Sequence, residues 1–436
     1  MMAASFPCSY ANGRYRTIVA LCIGINALFL IPGGVGGTEI YLRFLLRSLS
    51  RIDKTNDYVV FLNRETGSDL VPASPRFRGI RCAVRASFRP ARILFEQTRL
   101  PRMLARHDID VLLNPGFTAP LFARCPQVTV FHDLQHKIHP EFFRVRDLPF
   151  WNMLLAGSAA CSRRLIAVSD NTARDLAQRL PRAKGKIAAV PHGVDPAFFE
   201  IAKERREHRG SARPTRPFIL VVSTLHPHKN LERAVEAFRH FRTAHPEYRL
   251  VVAGLKGFAA RGLQEQVRSL GLQEHIEFTG WIPRSDLYSL FAAASALLAP
   301  SLFEGFGLPL VEALAAGIPS ACSAIPPFRE IAGEIAYMFD PSSTDAIREA
   351  LEMVTQNEDF RARAMVEGPQ RASGFDWDKT AEATLRELIA AARFTQPDHE
   401  STQETGVPPA PTKTALRAPA PPTSNGHGAN PTRRSV

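Results

Sequence analysis

The sequence has no early apolar run that could cross a bilayer: the most apolar stretch there, Thr17 to Ile31, is too short and carries Asn26 inside it. It reads as a buried strand and its exit, not as an anchor. Cysteine is scarce and scattered. Cys8, Cys22, Cys82, Cys125, Cys161 and Cys322 show neither CxxC nor any short metal-ligand spacing, which argues against a disulfide framework and structural zinc and fits reduced thiols in a cytoplasmic protein. Acidic charge is also in deficit. With 42 Asp and Glu against 54 Lys and Arg, the formal charge of +12 favours an anionic partner, either a phosphate-bearing ligand or an acidic membrane surface.

What is present suffices for two cores. At 436 residues and 45% hydrophobic content the chain can build two globular domains. Residues 1–16 lack periodicity and are expected to be a disordered leader. From 17 to 201, short β-rich runs (IVALCIGINALFL, DYVVFL, VLLNPG, QVTVFHD, RLIAVSD, KIAAVPHGV) alternate with amphipathic stretches, the pattern of a parallel sheet covered by helices on both faces. Residues 202–217 are polar and read as a linker. The α/β pattern restarts over 218–375 with FILVVS, RLVVAG, IEFTG, ALLAP and IPSACS. A last amphipathic helix is expected over 376–394, N-capped by Asp376 and packing back across the cleft between the domains. Residues 395–436 turn to Pro, Thr, Ser and Gly and are expected to be a disordered tail.

The densest signal is PSLFEGFGLPLVEALAAGIP, Pro300 to Pro319. A strand end, glycines at 305 and 307, Pro309 at a first helical position and Gly317 at a C-cap describe a strand, a Gly-rich turn and a short helix. A helix N-terminus suits a pyrophosphate or sugar hydroxyls. Glu304 before the helix and Glu312 within it, eight positions apart, can each accept paired hydroxyl hydrogen bonds, one from a sugar and one from a ribose. In VVSTLHPHKNLERAVEAF, Lys229 and Asn230 open a helix, where a lysine can neutralise a leaving diphosphate.

The N-terminal half adds weaker elements. Gly33, Gly34, Gly36 and Gly37 form a turn before a helix starting near Thr38, as compatible with a plain turn as with a ligand loop. Glu39 stands where a dinucleotide fingerprint needs its third glycine, so NAD is not expected. His132 and Asp133 close a strand at the end where open α/β sheets place ligands. His132, His136 and His139 invite a metal reading, but no metal and no cofactor is expected. Ser169 suits a helix N-cap. Asp108 and Asp110 match a D-x-D motif in letters alone, because they precede their strand. Between Arg76 and Arg106 stand nine arginines, Arg85, Arg89, Arg92 and Arg99 among them, with Glu96 the lone opposing charge. They read either as a solvated face or as one drawn to anionic lipid.

On these motifs the sequence resembles the retaining glycosyltransferases of family 4, which have the GT-B fold: two Rossmann-like domains whose parallel sheets face an interdomain cleft. The resemblance runs from about Ile23 to Ala392. It implies that Glu304 contacts the transferred hexose, that Gly305, Phe306, Gly307 and Leu308 offer backbone near sugar and phosphate, and that Glu312 binds the ribose. It further implies that Gly36 and Gly37 face the donor, that Lys229 faces its phosphates, and that His132 and Asp133 lie by the transferred sugar. Ser223 and Thr224 replace the arginine the family usually pairs with the lysine, as in a subgroup reading G-T-L-x-P-x-K-N. His192, Gly193, Val194 and Asp195 read as architectural. The implied partners are a GDP- or UDP-sugar and a glycan or lipid-linked acceptor, without nucleic acid. A sugar-nucleotide epimerase, or a nucleotide-sugar-binding protein without catalysis, is the alternative.

Overall fold

A computed structural model of the chain describes residues 20–143, 145–207, 216–257 and 259–393. The expected leader (1–16), the expected tail (395–436) and the middle of the expected linker (208–215) lie outside the described residues.

The first half builds strands β1 Cys22–Ala27, β2 Asp57–Leu62, β3 Phe77–Arg81, β4 Val111–Asn114, β5 Gln127–Phe131, β6 Arg164–Ala167 and β7 Ile187–Ala189, joined in one sheet of order β3-β2-β1-β4-β5-β6-β7. Its helices are α1 Gly37–Ile52, α2 Arg89–Thr98, α3 Leu100–Arg106, α4 Gln135–Ile138, α5 Leu148–Cys161, α6 Asp170–Arg179 and α7 Ala197–Glu207. The second half builds β8 Phe218–Val222, β9 Arg249–Ala253, β10 Ile276–Gly280, β11 Ala296–Ala299, β12 Ser320–Ser323 and β13 Tyr337–Phe339, in the order β10-β9-β8-β11-β12-β13. Around them stand α8 Leu231–Ala244, α9 Ala260–Ser269, α10 Arg284–Ala293, α11 Leu308–Ala315, α12 Pro326–Ala332, α13 Thr344–Gln356, α14 Glu358–Ala372 and α15 Trp377–Arg393.

Neighbouring strands pair in parallel throughout, for example β1 on β2 and β4, and β8 on β9 and β11. Helices on both faces bury these strands, which is why they read as unbroken apolar runs: all five residues of β5 are buried. The fold is α/β of the GT-B kind, with two Rossmann-like lobes.

Two helices cross between the lobes. α15 follows the second lobe in sequence yet packs on α1 and on β4, β5 and β6 of the first. Trp377, Ala381, Thr384, Leu388 and Ala391 form its buried stripe, and the Trp377 ring stacks on Phe44 at 5.3 Å. Asp376 accepts from the Asp378 amide at 2.6 Å, consistent with the expected cap. In the other direction, α7 packs on α10, α11 and α14 of the second lobe. The expected linker therefore begins too early, because residues 202–207 continue α7. Phe198, Ile201 and Ala202 bury one narrow face of α7, and the charged remainder AKERRE hides it from a search for apolar period. A third tie is Arg164 to Glu387 on α15, at 2.6 Å.

Candidate functional site

Each sheet reverses its direction of growth beside its first strand, between β1 and β4 and between β8 and β11. Loops leaving the carboxyl ends of such strands are where open α/β sheets hold ligands. Here the loops of both lobes line one cleft of about 630 Å³, within the range of small-molecule sites. Gly36, Gly37, His132, Asp133, Thr224, Lys229, Glu304, Gly305, Phe306, Gly307, Leu308 and Glu312 all line it. Residues nearly three hundred positions apart in sequence thus converge on one space.

On the second-lobe side, Pro227–Lys229 makes a tight turn and Asn230 takes a left-handed conformation at φ 56°. The Asn230 side chain donates to the carbonyls of Pro300 and Pro341 at 3.1 and 2.9 Å, tying this turn to the end of β11. Lys229 therefore precedes α8, which starts at Leu231, and does not open it. Its Nζ lies 2.6 Å from Glu304 Oε1, which also accepts from Ser301 at 2.8 Å.

The glycines next to Glu304 are needed for packing as well as for ligand approach. A Cβ on Gly305 would stand 1.6 Å from the His132 carbonyl oxygen, so the two lobes touch backbone to backbone here. Ser169, which caps α6, and Thr172 both donate to the Gly305 carbonyl, at 2.6 and 3.2 Å. Gly307 has φ 125°, and a Cβ there would meet the Phe328 ring at 2.6 Å. From Gly307 the chain enters α11, where Leu310 and Val311 donate to the Gly307 carbonyl. The amides of Gly307 and Leu308 stand ahead of those first helical bonds, facing the end where an anion is favoured.

Glu312 is 2% exposed and takes 2.7 Å contact from Arg284 Nη2, which also reaches Asp195 at 3.5 Å. Tyr288 donates to the same Asp195. Burial pushes the Glu312 carboxyl above the usual range, against the pull of Arg284. Burial also acts to lower the Arg284 pKa, but Glu312 and Tyr288 outweigh it and hold the guanidinium charged. A buried carboxylate with one partner remains short of donors, and a diol could supply them. Arg284, Tyr288 and Trp281, all lining the cleft, carry no motif and were not legible in the sequence. Beside the architectural part expected of them, His192 lines the cleft and Asp195 joins its charge network.

On the first-lobe side rings stand beside Asp133. His132 Nε2 lies 2.9 Å from the Pro115 carbonyl, and since a carbonyl only accepts, Nε2 carries the hydrogen. Burial lowers the His132 pKa to about 4, so the ring is neutral at physiological pH. Tyr41, Phe117 and His192 surround it at 5.0, 5.3 and 5.5 Å. His192 is held neutral for the same reason, and its Nδ1 has no hydrogen-bond partner among the described residues. Asp133 is pushed upward by burial and by Glu304, against Lys229 and the Gln135 amide. Gly33 and Gly36 adopt φ 67° and 57°, and the Gly33 amide donates to Glu39 at 2.7 Å. Gly37 approaches Leu308 across the cleft.

His139 pairs with Glu141 at 2.9 Å, and among the described residues no three His, Cys, Asp or Glu side chains gather as a metal would require. Asp110 accepts from the Cys22 amide at 2.7 Å, and so belongs to the connection into β4. Arg85, Arg89 and Arg99 are exposed, but Arg92 is not part of the basic face. Its side chain is buried against Glu96, one turn on, which accepts from Thr118 at 3.1 Å. Among the described residues no helix is long and apolar enough to cross a membrane.

The model of the glycosyl transferases group 1 matches residues 203–371, and that of glycosyltransferase family 4 matches residues 35–198. The O-antigen chain mannosyltransferase B of Escherichia coli is 26% identical over 268 residues, covering 59% of this chain and 68% of that one. Among solved structures, sucrose-phosphate synthase from Thermosynechococcus elongatus superimposes with a TM-score of 0.69 at 18% identity, covering 85% of this chain and 100% of that one. Anabaena HepE in complex with UDP-glucose gives 0.65 at 19% identity, with coverage of 85% and 100%. With one model over each lobe and the motifs of both meeting in a single cleft, the chain belongs to the family 4 glycosyltransferases of the glycosyl transferases group 1.

Proposed function

We propose that the enzyme transfers a hexose of mannose or glucose type from a GDP- or UDP-sugar to a glycan or lipid-linked acceptor, with retained anomeric configuration and without metal, in cell-surface polysaccharide synthesis. The observation that carries this reading is the Lys229–Glu304 pair beside the start of α11, with Glu312 in the same cleft. In the cleft each of these carboxylates is matched to a cation, Glu304 to Lys229 and Glu312 to Arg284. A nucleotide sugar exchanges those partners. Its diphosphate takes Lys229 and the amides at the α11 start, its sugar hydroxyls take Glu304, and its ribose takes Glu312.

The anomeric carbon–oxygen bond to the diphosphate then breaks, the acceptor oxygen bonds to that carbon, and the acceptor proton leaves with the diphosphate or to solvent. Lys229 and the helix start stabilise the charge that develops on the leaving group, the part a metal plays in other transferases. Neutral His132 positions the donor, and Asp133 supports it or the acceptor hydroxyl. Thr224 stands where a second cation is usual, and Arg284, charged and lining the same cleft, can supply it once Glu312 turns to the ribose. On the acceptor side, Arg43 and Arg47 line both this cleft and an adjoining cavity of about 460 Å³. The mannosyl preference follows the mannosyltransferase relative, and the UDP alternative follows the UDP-glucose bound to HepE. We place the enzyme in the cytoplasm, peripheral at the inner face of the membrane.

A thermal-shift panel of GDP-, UDP-, ADP- and dTDP-sugars tests the donor, because a ligand that binds the native state raises its melting temperature. One nucleotide class should stabilise the protein, and Glu312→Ala should lose that shift. No shift with any nucleotide sugar would overturn the donor reading. Product formation with the stabilising donor separates catalysis from binding alone.

A further inference from the structure

The first lobe carries an apolar surface that neither the fold nor the cleft uses. Of the eight large hydrophobic side chains most exposed among the described residues, six fall on two helices and the loops beside them: Phe88, Leu94, Phe122, Val145, Phe150 and Met153. They are 44 to 81% exposed. Scattered exposed leucines need no explanation, but a contiguous set does.

The segments that carry Leu94, Phe122, Phe150 and Met153 are bonded side by side, and Phe88 and Val145 lie at the ends of the same helices. On α2, Gln97 donates to the Ala119 carbonyl at 3.0 Å and accepts from the Leu121 amide at 2.8 Å. Leu94 lies one turn before Gln97, and Phe122 directly follows Leu121. The same loop joins α5: the Ala119 amide donates to Ser158 at 2.9 Å, and Leu121 packs into the space over Gly157. Met153 and Phe150 stand four and seven positions before Gly157, on the same helical face. α5 itself, LPFWNMLLAGSAAC, has no charged side chain. At 14 residues it is too short to span a bilayer.

The rim is basic. Arg89, Arg99, Arg102 and Arg124 are exposed on the segments that carry the patch, as is Arg146, which pairs with Asp147 at 3.7 Å; Glu141 and Asp147 are the acids nearest in sequence to α5. We propose that this face of α2, the loop at Leu121–Phe122 and α5 docks on an anionic bilayer surface, apolar side chains entering the headgroup boundary and arginines meeting lipid phosphates. Insertion of apolar groups and attraction to anionic charge are the two requirements of an interfacial surface. A second copy of the chain fits less well, since two-fold pairing would set the arginine rim against itself.

The patch is coupled to the cleft. Phe117, in the loop that leads to Phe122, packs edge-on against His132, and Pro115 in the same loop accepts from it. On the other side, His139, which precedes α5, meets the Phe303 ring beside Glu304 at 5.4 Å. A docked enzyme would present its cleft mouth to molecules held in the lipid plane. That orientation rests on the lipid-linked acceptor reading; the docking itself does not.

The test is flotation of the full chain with vesicles of phosphatidylcholine alone and of phosphatidylcholine mixed with phosphatidylglycerol. The protein should float with the anionic vesicles, less so in high salt. The triple variant Leu94→Ser, Phe122→Ser, Met153→Ser should float about tenfold less or weaker still, while keeping the wild-type melting temperature and nucleotide-sugar shift. Arg89→Glu with Arg124→Glu should remove the preference for phosphatidylglycerol. Absence of flotation, equal flotation with both vesicles, or a triple variant that floats like the wild type would each overturn the proposal. So would a wild-type dimer that the triple variant dissolves. Flotation without any nucleotide-sugar shift would leave the docking standing and remove the donor reading.

Discussion

The two lobes share the order of their first six strands, to which the first lobe adds β7, but set different chemistry at the same topological place. At the β8/β11 reversal stand ions: Lys229, Glu304, Arg284 and Glu312. Beside the β1/β4 reversal stand neutral rings, His132, His192 and Tyr41, with burial keeping the imidazoles uncharged. The fold fixes where loops point, and the loop residues decide whether the wall is electrostatic or neutral. Charge that must be met when a diphosphate leaves belongs on one wall. A sugar and an incoming hydroxyl can pack against these uncharged rings, while Asp133, Arg43 and Arg47 bring the charge on this side of the cleft.

The sharpest way to break that contrast is to remove the cation. Lys229→Ala should lower kcat by about a hundredfold to a thousandfold, as removal of a donor at a developing charge does elsewhere, with steady-state rates as the measurement. Lys229→Arg should restore part of that loss. If the alanine variant keeps wild-type turnover, the charged wall has some other role. Gly305→Ala attacks the seam between the walls, since its new Cβ would enter the His132 carbonyl. We expect a loss of activity of at least about tenfold together with a lower melting temperature, because the lobes must part to admit the methyl group.

The neutral wall makes a pH prediction of definite sign. His132 has a folded pKa of about 4, below the unfolded value of about 6.5, so the unfolded chain binds the proton that the native state refuses. Its contribution to stability is full above pH 6.5 and falls as pH drops toward 4. Between pH 7 and pH 5 this one group should cost about 2 kcal/mol of stability, an order-of-magnitude figure. Melting temperatures followed against pH should show the fall, and His132→Gln should flatten it. An equally steep fall in that variant would place the effect on other buried histidines, of which His136 is also lowered to about 4. The smallest expected effect is Ser169→Ala, which removes an N-cap and one bond to Gly305. It should cost about 1–2 kcal/mol in denaturant unfolding, with turnover changed less than in Gly305→Ala.

Much of the charged wall was legible because its parts are close in sequence. Glu304, Gly305, Gly307, Pro309 and Glu312 sit within one strand, turn and helix, and local rules of turn and cap suffice to read them. Arg284 was not legible. It reaches Glu312 from the first position of α10, a helix start without a signature, and only the placement of β10 in the sheet brings it there. Gly305 shows a different limit: its importance was visible, but the reason for it lies in the backbone of His132, far away in the chain. Arg92 was misplaced because an arginine run looks uniform in sequence, whereas Glu96 one turn later draws one member inside. The first turns of the expected linker hid a helix, since α7 buries only a narrow stripe.

The exchange of α7 and α15 bears on how the molecule comes apart. Each lobe is roofed in part by a helix whose chain belongs to the other, with Trp377 and Phe44 in contact at one of these junctions. Melting either lobe strips a packed helix from its neighbour, so the two should unfold together, as one calorimetric endotherm with matched van't Hoff and total enthalpies. Thermal failure is then shared between the two walls of the cleft, and neither half outlives the other.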